Sequence, residues 1–172
     1  MKRIYLFISI LIIISCSCDK LFPDDKLSLQ RTDYTGNDLR MNGYYYTYYN
    51  PNSTNVYFMY RNGIILRVSS FSTQNLDEIE KEMVSDYKYL YDTKSLWGIF
   101  VIDGVKIQYE RWVSSTGSGL RAALSSGYIE NDTTFHITET YFNSTGETRQ
   151  GNEVYHFKQF SPKPDSTNVY IK

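Results

Sequence analysis

The sequence predicts an all-β domain: an antiparallel meander of about eight strands, with one amphipathic helix between the third and fourth strands. Two observations favour this fold class. Aromatic residues make up 16% of the 172 residues, with 17 Tyr and 9 Phe, and aromatic side chains are enriched in strands. Turn motifs such as Asn-Gly and Asp-Gly join consecutive apolar segments, and strands joined by short connections are antiparallel.

Length, charge and cysteine content limit what the chain can be. A chain of 172 residues has the size of one ordinary domain. Its 18 Lys and Arg nearly balance 19 Asp and Glu, so the sequence lacks the basic excess that neutralises phosphates, and we expect no nucleic-acid partner. Both cysteines, Cys16 and Cys18, lie near the N-terminus, so a domain that begins after them holds no disulfide.

The N-terminus has the pattern of an export signal. Lys2 and Arg3 precede an apolar run over residues 4–14, which suits a signal peptide and is too short to span a bilayer. The motif Ile-Ile-Ser-Cys that ends at Cys16 resembles a bacterial lipobox, in which the cysteine is acylated and the chain is cleaved just before it. We therefore expect a lipoprotein signal peptide over residues 1–15, lipidation at Cys16 and stable anchoring in a membrane.

Cys18 is the alternative lipidation site, although no aliphatic residue stands three positions before it. The choice bears on localisation, because Asp directly after the acylated cysteine retains enterobacterial lipoproteins in the inner membrane. Cys16 is followed by Ser17, whereas Cys18 is followed by Asp19. Lipidation at Cys16 therefore predicts a cell-envelope protein at the outer membrane, on its periplasmic or surface face.

The polar segment that follows has no period and predicts a lipid-anchored tether over residues 16–38, so that residues 39–172 form the β-domain. The first strand is rich in tyrosine from Tyr44 to Tyr49. This segment fits a strand packed on both faces, or a stacking surface for sugars or proteins. The predicted strands cover residues 41–49, 55–61, 64–70, 97–102, 105–113, 120–130, 133–142 and 153–160.

The turn at Gly63 fixes a register. Only a three-residue loop sets Tyr60 opposite Ile64 and Phe58 opposite Leu66, and thereby gives one apolar face that excludes charge. We therefore expect Gly63 in the left-handed conformation of a G1 bulge.

The turn at Asp103-Gly104 predicts a second tight hairpin. A two-residue type I′ loop sets Phe100 opposite Ile107 and keeps that face apolar.

One segment between the third and fourth strands has helical spacing of its apolar residues and a capping Asn75 before them. Such a stripe is typical of core packing, and the alternative is a lid over a cavity mouth. The stripe consists of Leu76, Ile79, Met83, Tyr87 and Leu90.

Catalytic and cofactor motifs are missing from the sequence, which has no nucleophile elbow, P-loop, dinucleotide fingerprint or EF-hand loop. The two histidines, His136 and His156, alternate with apolar residues, so we expect them as diagonal neighbours on an outer face. Two imidazoles are too few for a zinc site. We therefore expect no metal, no cofactor and no enzymatic activity; a hydrolase built from spatially paired carboxylates remains the third hypothesis.

Two charges fall on predicted inner faces of strands. Arg111 continues the alternation of Ile107 and Tyr109, and Glu139 continues that of Ile137. Each fits either a polar anchor in a ligand cavity or a strand that bulges at that point. Trp112, out of phase with the residues before it, favours a bulge.

The lipobox, the tether, the meander, Trp97-Gly98 and the segments NDTTFHITETY and EVYHFKQFSPKPDSTN together resemble small bacterial lipoproteins with a lipocalin-like β-barrel. The resemblance implies a closed barrel that binds a small apolar or amphipathic ligand. The alternative is a structural or interaction lipoprotein whose filled barrel acts through its surface on an envelope protein partner. Our assignment of strand faces predicts a lumen lined by Tyr60, Tyr109, Arg111, Glu139 and Tyr155.

Overall fold

The computed structural model describes residues 23–85, 87–114 and 119–172, and in it the strands form a closed barrel. Each strand pairs antiparallel with the next, and β8 pairs with β1. The predicted all-β meander is confirmed, and its closure is consistent with a lipocalin-like barrel. The strands are β1 (Gly43–Asn50), β2 (Ser53–Met59), β3 (Ile64–Phe71), β4 (Trp97–Asp103), β5 (Lys106–Ser114), β6 (Leu120–Asn131), β7 (Thr134–Phe142) and β8 (Glu147–Gln159).

The helical connection between β3 and β4 contains α1 (Leu76–Ser85), α2 (Tyr87–Asp92) and a 3-10 helix (Lys94–Leu96). The carboxamide oxygen of Asn75 accepts the Asp77 N–H at 3.1 Å, as expected of a capping residue. Ile79, Met83 and Leu90 are buried against the outer wall of the barrel. The helical stripe is thus a packing element on the wall, not a lid.

Two apolar cores result, because the helices and the C-terminal residues cover the outside of β1–β4. The first core fills the lumen, and its members are Leu39, Tyr45, Tyr57, Met59, Ile65, Phe100, Ile107, Tyr109, Phe135, Ile137 and Tyr155. The second core lies between the barrel wall and the helices, and its strand members include Tyr44, Val56, Phe58, Ile64, Leu66, Trp97 and Trp112.

The predicted turn at Gly63 is confirmed. Gly63 has φ +76°, the Tyr60 N–H donates to the Ile64 carbonyl at 2.9 Å, and Phe58 lies opposite Leu66. The apolar face, however, is the outer one, so the expectation that Tyr60 and Phe58 face the lumen is wrong. Apolarity could not decide between the faces, since both are buried. The opposite face, which carries Arg67, points into the barrel.

The register predicted at Asp103-Gly104 is wrong, because the two-residue loop lies one position later in the chain than expected. Asp103 pairs with Lys106, and Phe100 lies opposite Tyr109 rather than Ile107. The loop consists of Gly104, with φ +58°, and Val105; among the described residues only glycines have positive φ. A type I′ turn needs positive φ at both loop residues, whereas a type II′ turn needs it only at the first, where Gly104 lies. Phe100 and Ile107 nevertheless share the lumen face.

Strand β8 begins at Glu147, within the polar segment 143–152 that the sequence suggested was a loop. A bulge in β7 accompanies it, since the consecutive residues Ser126 and Gly127 of β6 pair with Glu139 and Ile137, which leaves Thr138 as an extra residue in β7. The extra residue reverses the alternation, so Glu139 is exposed instead of pointing inward. For Glu139, the bulge interpretation was the correct one.

Residues 23–42, which we call the N-terminal strap, run along the outside of the barrel from one end to the other. Asp25 contacts Leu120 at the start of β6, and Tyr34 bonds to Arg61 at the β2–β3 turn. The strap then crosses this end, where Leu39 is buried against the lumen core. Residues 23–38 of the predicted tether are thus packed on the barrel, while residues 16–22, Cys16 and Cys18 included, lie outside the described residues.

The C-terminal tail, residues 160–172, begins at the same end of the barrel, where the Lys163 ammonium donates to the carbonyls of Met41 and Met59. Its last residues lie along the outer wall, where Ile171 is buried in the outer core and shares a pocket with Trp112 and Asp25. One end is therefore closed by the strap and the tail. We call the other end, at the β1–β2 and β7–β8 turns, the open end.

Candidate ligand site in the open half of the barrel

The closed half of the lumen is filled by aromatic rings. Phe135 stacks on Tyr155 with ring centroids 4.6 Å apart, and Tyr45 lies against Phe135 at 5.1 Å. Phe100 is 1% exposed in the same layer. This half leaves little room for an apolar ligand.

The open half of the lumen contains a cavity of about 210 Å³. Its polar lining consists of Asn55, Arg67, Ser70, Arg111, Ser125, Thr140 and Glu153, and its remaining lining of Tyr49, Tyr57, Tyr109, Val113, Ala123 and Phe142. A second pocket of about 380 Å³ adjoins it and shares Tyr49, Arg111, Thr140, Phe142 and Glu153 with it. We call this adjoining pocket the mouth of the barrel.

Arg67 enters the cavity from β3, held by two neighbours. One guanidinium nitrogen, Nη2, donates to Asn55 Oδ1 at 3.0 Å and to Ser70 Oγ at 2.6 Å. The Nε–H of Arg67 is buried and has no acceptor among the described residues. An unsatisfied buried donor costs about 1–3 kcal/mol, so this guanidinium has unused binding capacity.

Arg111 enters the cavity from β5. The pairing of β5 with β6 is regular from Lys106 to Ser114, so the bulge that Trp112 suggested is not present in this strand. Trp112 instead lies on the outer face under the strap, where its Nε1–H donates to the Asp25 carbonyl at 2.7 Å. Gly98 lies opposite Arg111, and a Cβ there would come within 2.4 Å of the Glu110 carbonyl oxygen and within 2.8 Å of Arg111 Cβ. The glycine thus lets β4 approach β5 closely beside the arginine.

Hydroxyl groups form the floor of the cavity. Tyr155 donates to Glu153 Oε2 at 2.7 Å, and the Tyr109 and Tyr155 oxygens are 3.2 Å apart. Because Tyr155 uses its proton on Glu153, Tyr109 is the donor of the second bond. Burial, reinforced by neighbouring tyrosines, raises the pKa of Tyr109 and of Tyr155 well above the ordinary value. Both hydroxyls therefore remain protonated and neutral.

The charge of the cavity is positive. It contains the guanidinium groups of Arg67 and Arg111 and the carboxylate of Glu153. Within the part of the chain that the structure describes, neither arginine makes an ion pair. The pKa of Arg111 is raised: burial would lower it, but nearby Tyr57, Tyr109 and Tyr155 outweigh burial. The Arg111 guanidinium thus stays charged.

The structure brings together three of the five residues predicted to line the lumen. Tyr109 and Arg111 line the cavity and Tyr155 lies beneath it. Glu139 lines only the adjoining pocket, where it accepts from Gln150 at 3.2 Å. Tyr60 lies outside the barrel, with its hydroxyl donating to the Pro164 carbonyl at 2.9 Å.

Sequence reasoning missed Arg67 and Glu153. The overlooked signal is on β2 and β3, where the face opposite Phe58 is also apolar and carries Tyr57, Met59 and Ile65. A strand pair that is apolar on both faces is buried on both, so a charge on either face is a candidate for a site.

The two histidines lie on the outer face as diagonal neighbours, as predicted: Val154 is opposite His136 and Thr134 is opposite His156. His136 stacks on Tyr128 at 4.7 Å and bonds to Glu130 Oε2 at 2.7 Å. The described residues contain no cluster of three or more His, Cys, Asp or Glu suited to a metal ion. None of the described helices is long and apolar enough to cross a membrane.

Comparison with known proteins gives no relative: no protein-family model, curated protein or solved structure matches the chain.

Proposed function

We propose that the protein is a lipid-anchored cell-envelope protein and that its barrel is a non-catalytic binding module for a small ligand. The observation that carries the proposal is the cavity at the open end, where charged and hydroxyl groups converge while the closed half is packed with rings. Ligand pockets combine such convergent polar groups with apolar walls.

The size of the cavity limits the ligand. Its volume of about 210 Å³ is below the lower bound of about 300 Å³ for pockets that enclose a drug-sized molecule. Rings occupy the depth that a long apolar chain would need. Of the two ligand classes expected from the sequence, the structure favours an amphipathic one, with its polar group in the cavity and any apolar part towards the mouth.

The position of the strap relates the cavity to the membrane. Pro23 and Asp24 lie at the open end, where Asp24 accepts the Leu120 N–H at 2.7 Å and pairs with Lys94 at 2.7 Å. With lipidation at Cys16, the seven residues to Pro23 span at most about 25 Å. We infer that the mouth faces the lipid surface of the outer membrane. A nitroxide lipid in a nanodisc should then broaden NMR signals of residues 51–52 more than those of residues 104–105.

The second candidate function is that of a structural or interaction lipoprotein that acts through its surface. The filled closed half favours it, as do the exposed Tyr48 and Tyr49, which are 46% and 70% accessible at the rim. Such a protein needs no ligand in the lumen.

Native mass spectrometry of the mature protein, purified from its own cells in a mild detergent, distinguishes the two functions. The binding function predicts a small retained ligand. Ser125→Phe, which fills the cavity, should lose this ligand, and Leu124→Phe, one residue away on the outer face, should keep it. If the unmodified protein and both variants are all free of ligand, the result favours the surface role.

A further inference from the structure

We propose that the cavity is an anion site, which binds the carboxylate or phosphate group of a small organic anion between Arg67 and Arg111. The inference rests on the binding function proposed above and names its ligand class.

The cavity has one positive charge more than its own carboxylate balances. The cavity contains two guanidinium groups and one carboxylate, and neither guanidinium forms an ion pair with any carboxylate of the described residues. The carboxylate of Glu153 already accepts a hydrogen bond from Tyr155 at 2.7 Å. An anion that enters the cavity therefore meets a net positive charge and the free Nε–H of Arg67.

Placing arginines inside the barrel costs free energy, because their charges lose contact with water. Replacing buried charges by apolar residues of similar volume is often neutral or stabilising, so charges inside a barrel are weak evidence of a stabilising role. The closed half of this lumen is filled with apolar and aromatic side chains, and similar side chains could have filled the open half. Two arginines there are better explained by a ligand than by stability.

Both arginines enter the cavity from strands whose neighbours position them. Arg67 is oriented by Asn55 and Ser70, and Arg111 projects from a regular strand opposite Gly98. Planar guanidinium groups bind carboxylate and phosphate through paired N–H···O bonds. The hydroxyls of Ser125 and Thr140 in the same lining share one hydrogen bond of 2.9 Å, so one of their two protons is left to donate to a further oxygen.

A free organic anion and an anionic lipid headgroup share this chemistry, and calorimetric titration separates them. The full-length mature protein in neutral detergent is titrated with butyrate, butyl phosphate, butanol and butylammonium, which share a four-carbon chain and differ in head group. Phosphatidylglycerol and phosphatidylcholine vesicles form a second arm. We expect at least one of the two anions to bind about tenfold or more tightly than butanol, with affinity that falls as salt rises. Saturable binding by phosphatidylglycerol vesicles alone would assign the same site to a headgroup.

Variants locate the site. Arg67→Met and Arg111→Met should each weaken the anion by about tenfold or more, and Arg111→Lys should restore part of the loss. Arg40→Met is the matched control, because Arg40 pairs with Asp132 at 2.8 Å at the closed end, far from the cavity. Melting temperatures identify any variant that fails to fold, and the ranking of head groups in the unmodified protein needs no variant.

Two results would overturn the inference. The anion site is excluded if butanol binds as tightly as the anions, or if the anions still bind after both arginine substitutions. Neither result contradicts the binding function, because a neutral ligand could still be retained from cells. Failure of every compound and both vesicle types to bind, together with no ligand retained from cells, contradicts the anion site and the proposed function alike.

Discussion

At the scale of single residues, two glycines with positive φ differ in their surroundings. A Cβ at Gly63 would fall on the backbone carbonyl of Thr32 in the strap, whereas a Cβ at Gly104 would meet nothing within 4 Å. Left-handed conformation alone costs a residue with a Cβ about 1–2 kcal/mol. We therefore expect Gly63→Ala to destabilise the protein clearly more than Gly104→Ala does.

Urea denaturation of both variants measures this difference. A similar loss for the two would mean that the strap does not pack against the β2–β3 turn in solution.

At the scale of elements, Glu110 holds the strap on the barrel. This carboxylate is 1% exposed and accepts the N–H groups of Ser28 and Leu29, the latter at 2.8 Å. Glu110→Ala leaves these donors without an acceptor, which should cost about 1–3 kcal/mol. Hydrogen exchange at Ser28 and Leu29 should become faster, and Glu130→Ala, on an exposed position, should leave it unchanged. If both amides already exchange rapidly in the unaltered protein, residues 23–38 form the loose tether that the sequence suggested.

The C-terminal tail gives the closed end a pH dependence through Lys163. Burial lowers the pKa of this ammonium from 10.5 to about 8. Between these two values the unfolded chain binds more protons than the folded one, so the free energy of unfolding rises as pH rises from 8 towards 10.5. Lys163→Met should remove this part of the rise between pH 7.5 and 9.5, and Lys106→Met should not. Parallel pH profiles for all three proteins in urea melts would contradict the account.

The order of the strands and the register at Gly63 could be predicted from the sequence, but the side that faces the lumen could not where other elements cover the outside of a strand. The strand order and the turn at Gly63 followed from local patterns, because a one-residue slip would expose an apolar face. The inward side of β2–β3 did not follow, because distant helices and the tail bury Phe58 on the outside while Tyr57 is buried within. Arg67 was missed for that reason, whereas Arg111 was predicted from an alternation that no bulge interrupts.

At the scale of the whole molecule, the lipid anchor is expected from the sequence alone, because Cys16 lies outside the residues that the structure describes. Cys16→Ala should abolish metabolic labelling with palmitate and release the protein from the membrane, since the mature chain would have no other hydrophobic segment of spanning length. Cys18→Ala is the control and should be labelled normally. Undiminished labelling of Cys16→Ala would move the lipid to Cys18 and, because Asp19 follows it, change the expected membrane.

If the open half of the barrel holds an anion between two arginines, anomalous diffraction from crystals soaked in selenate will locate that anion. Selenate has the shape and charge of an oxyanion head group, and its selenium can be located without reference to the protein. We expect one selenium peak inside the lumen, with selenate oxygens within hydrogen-bond distance of both Arg67 and Arg111, and no such peak in Arg111→Met. Peaks confined to the outer surface, with the lumen empty in both proteins, would contradict the anion site.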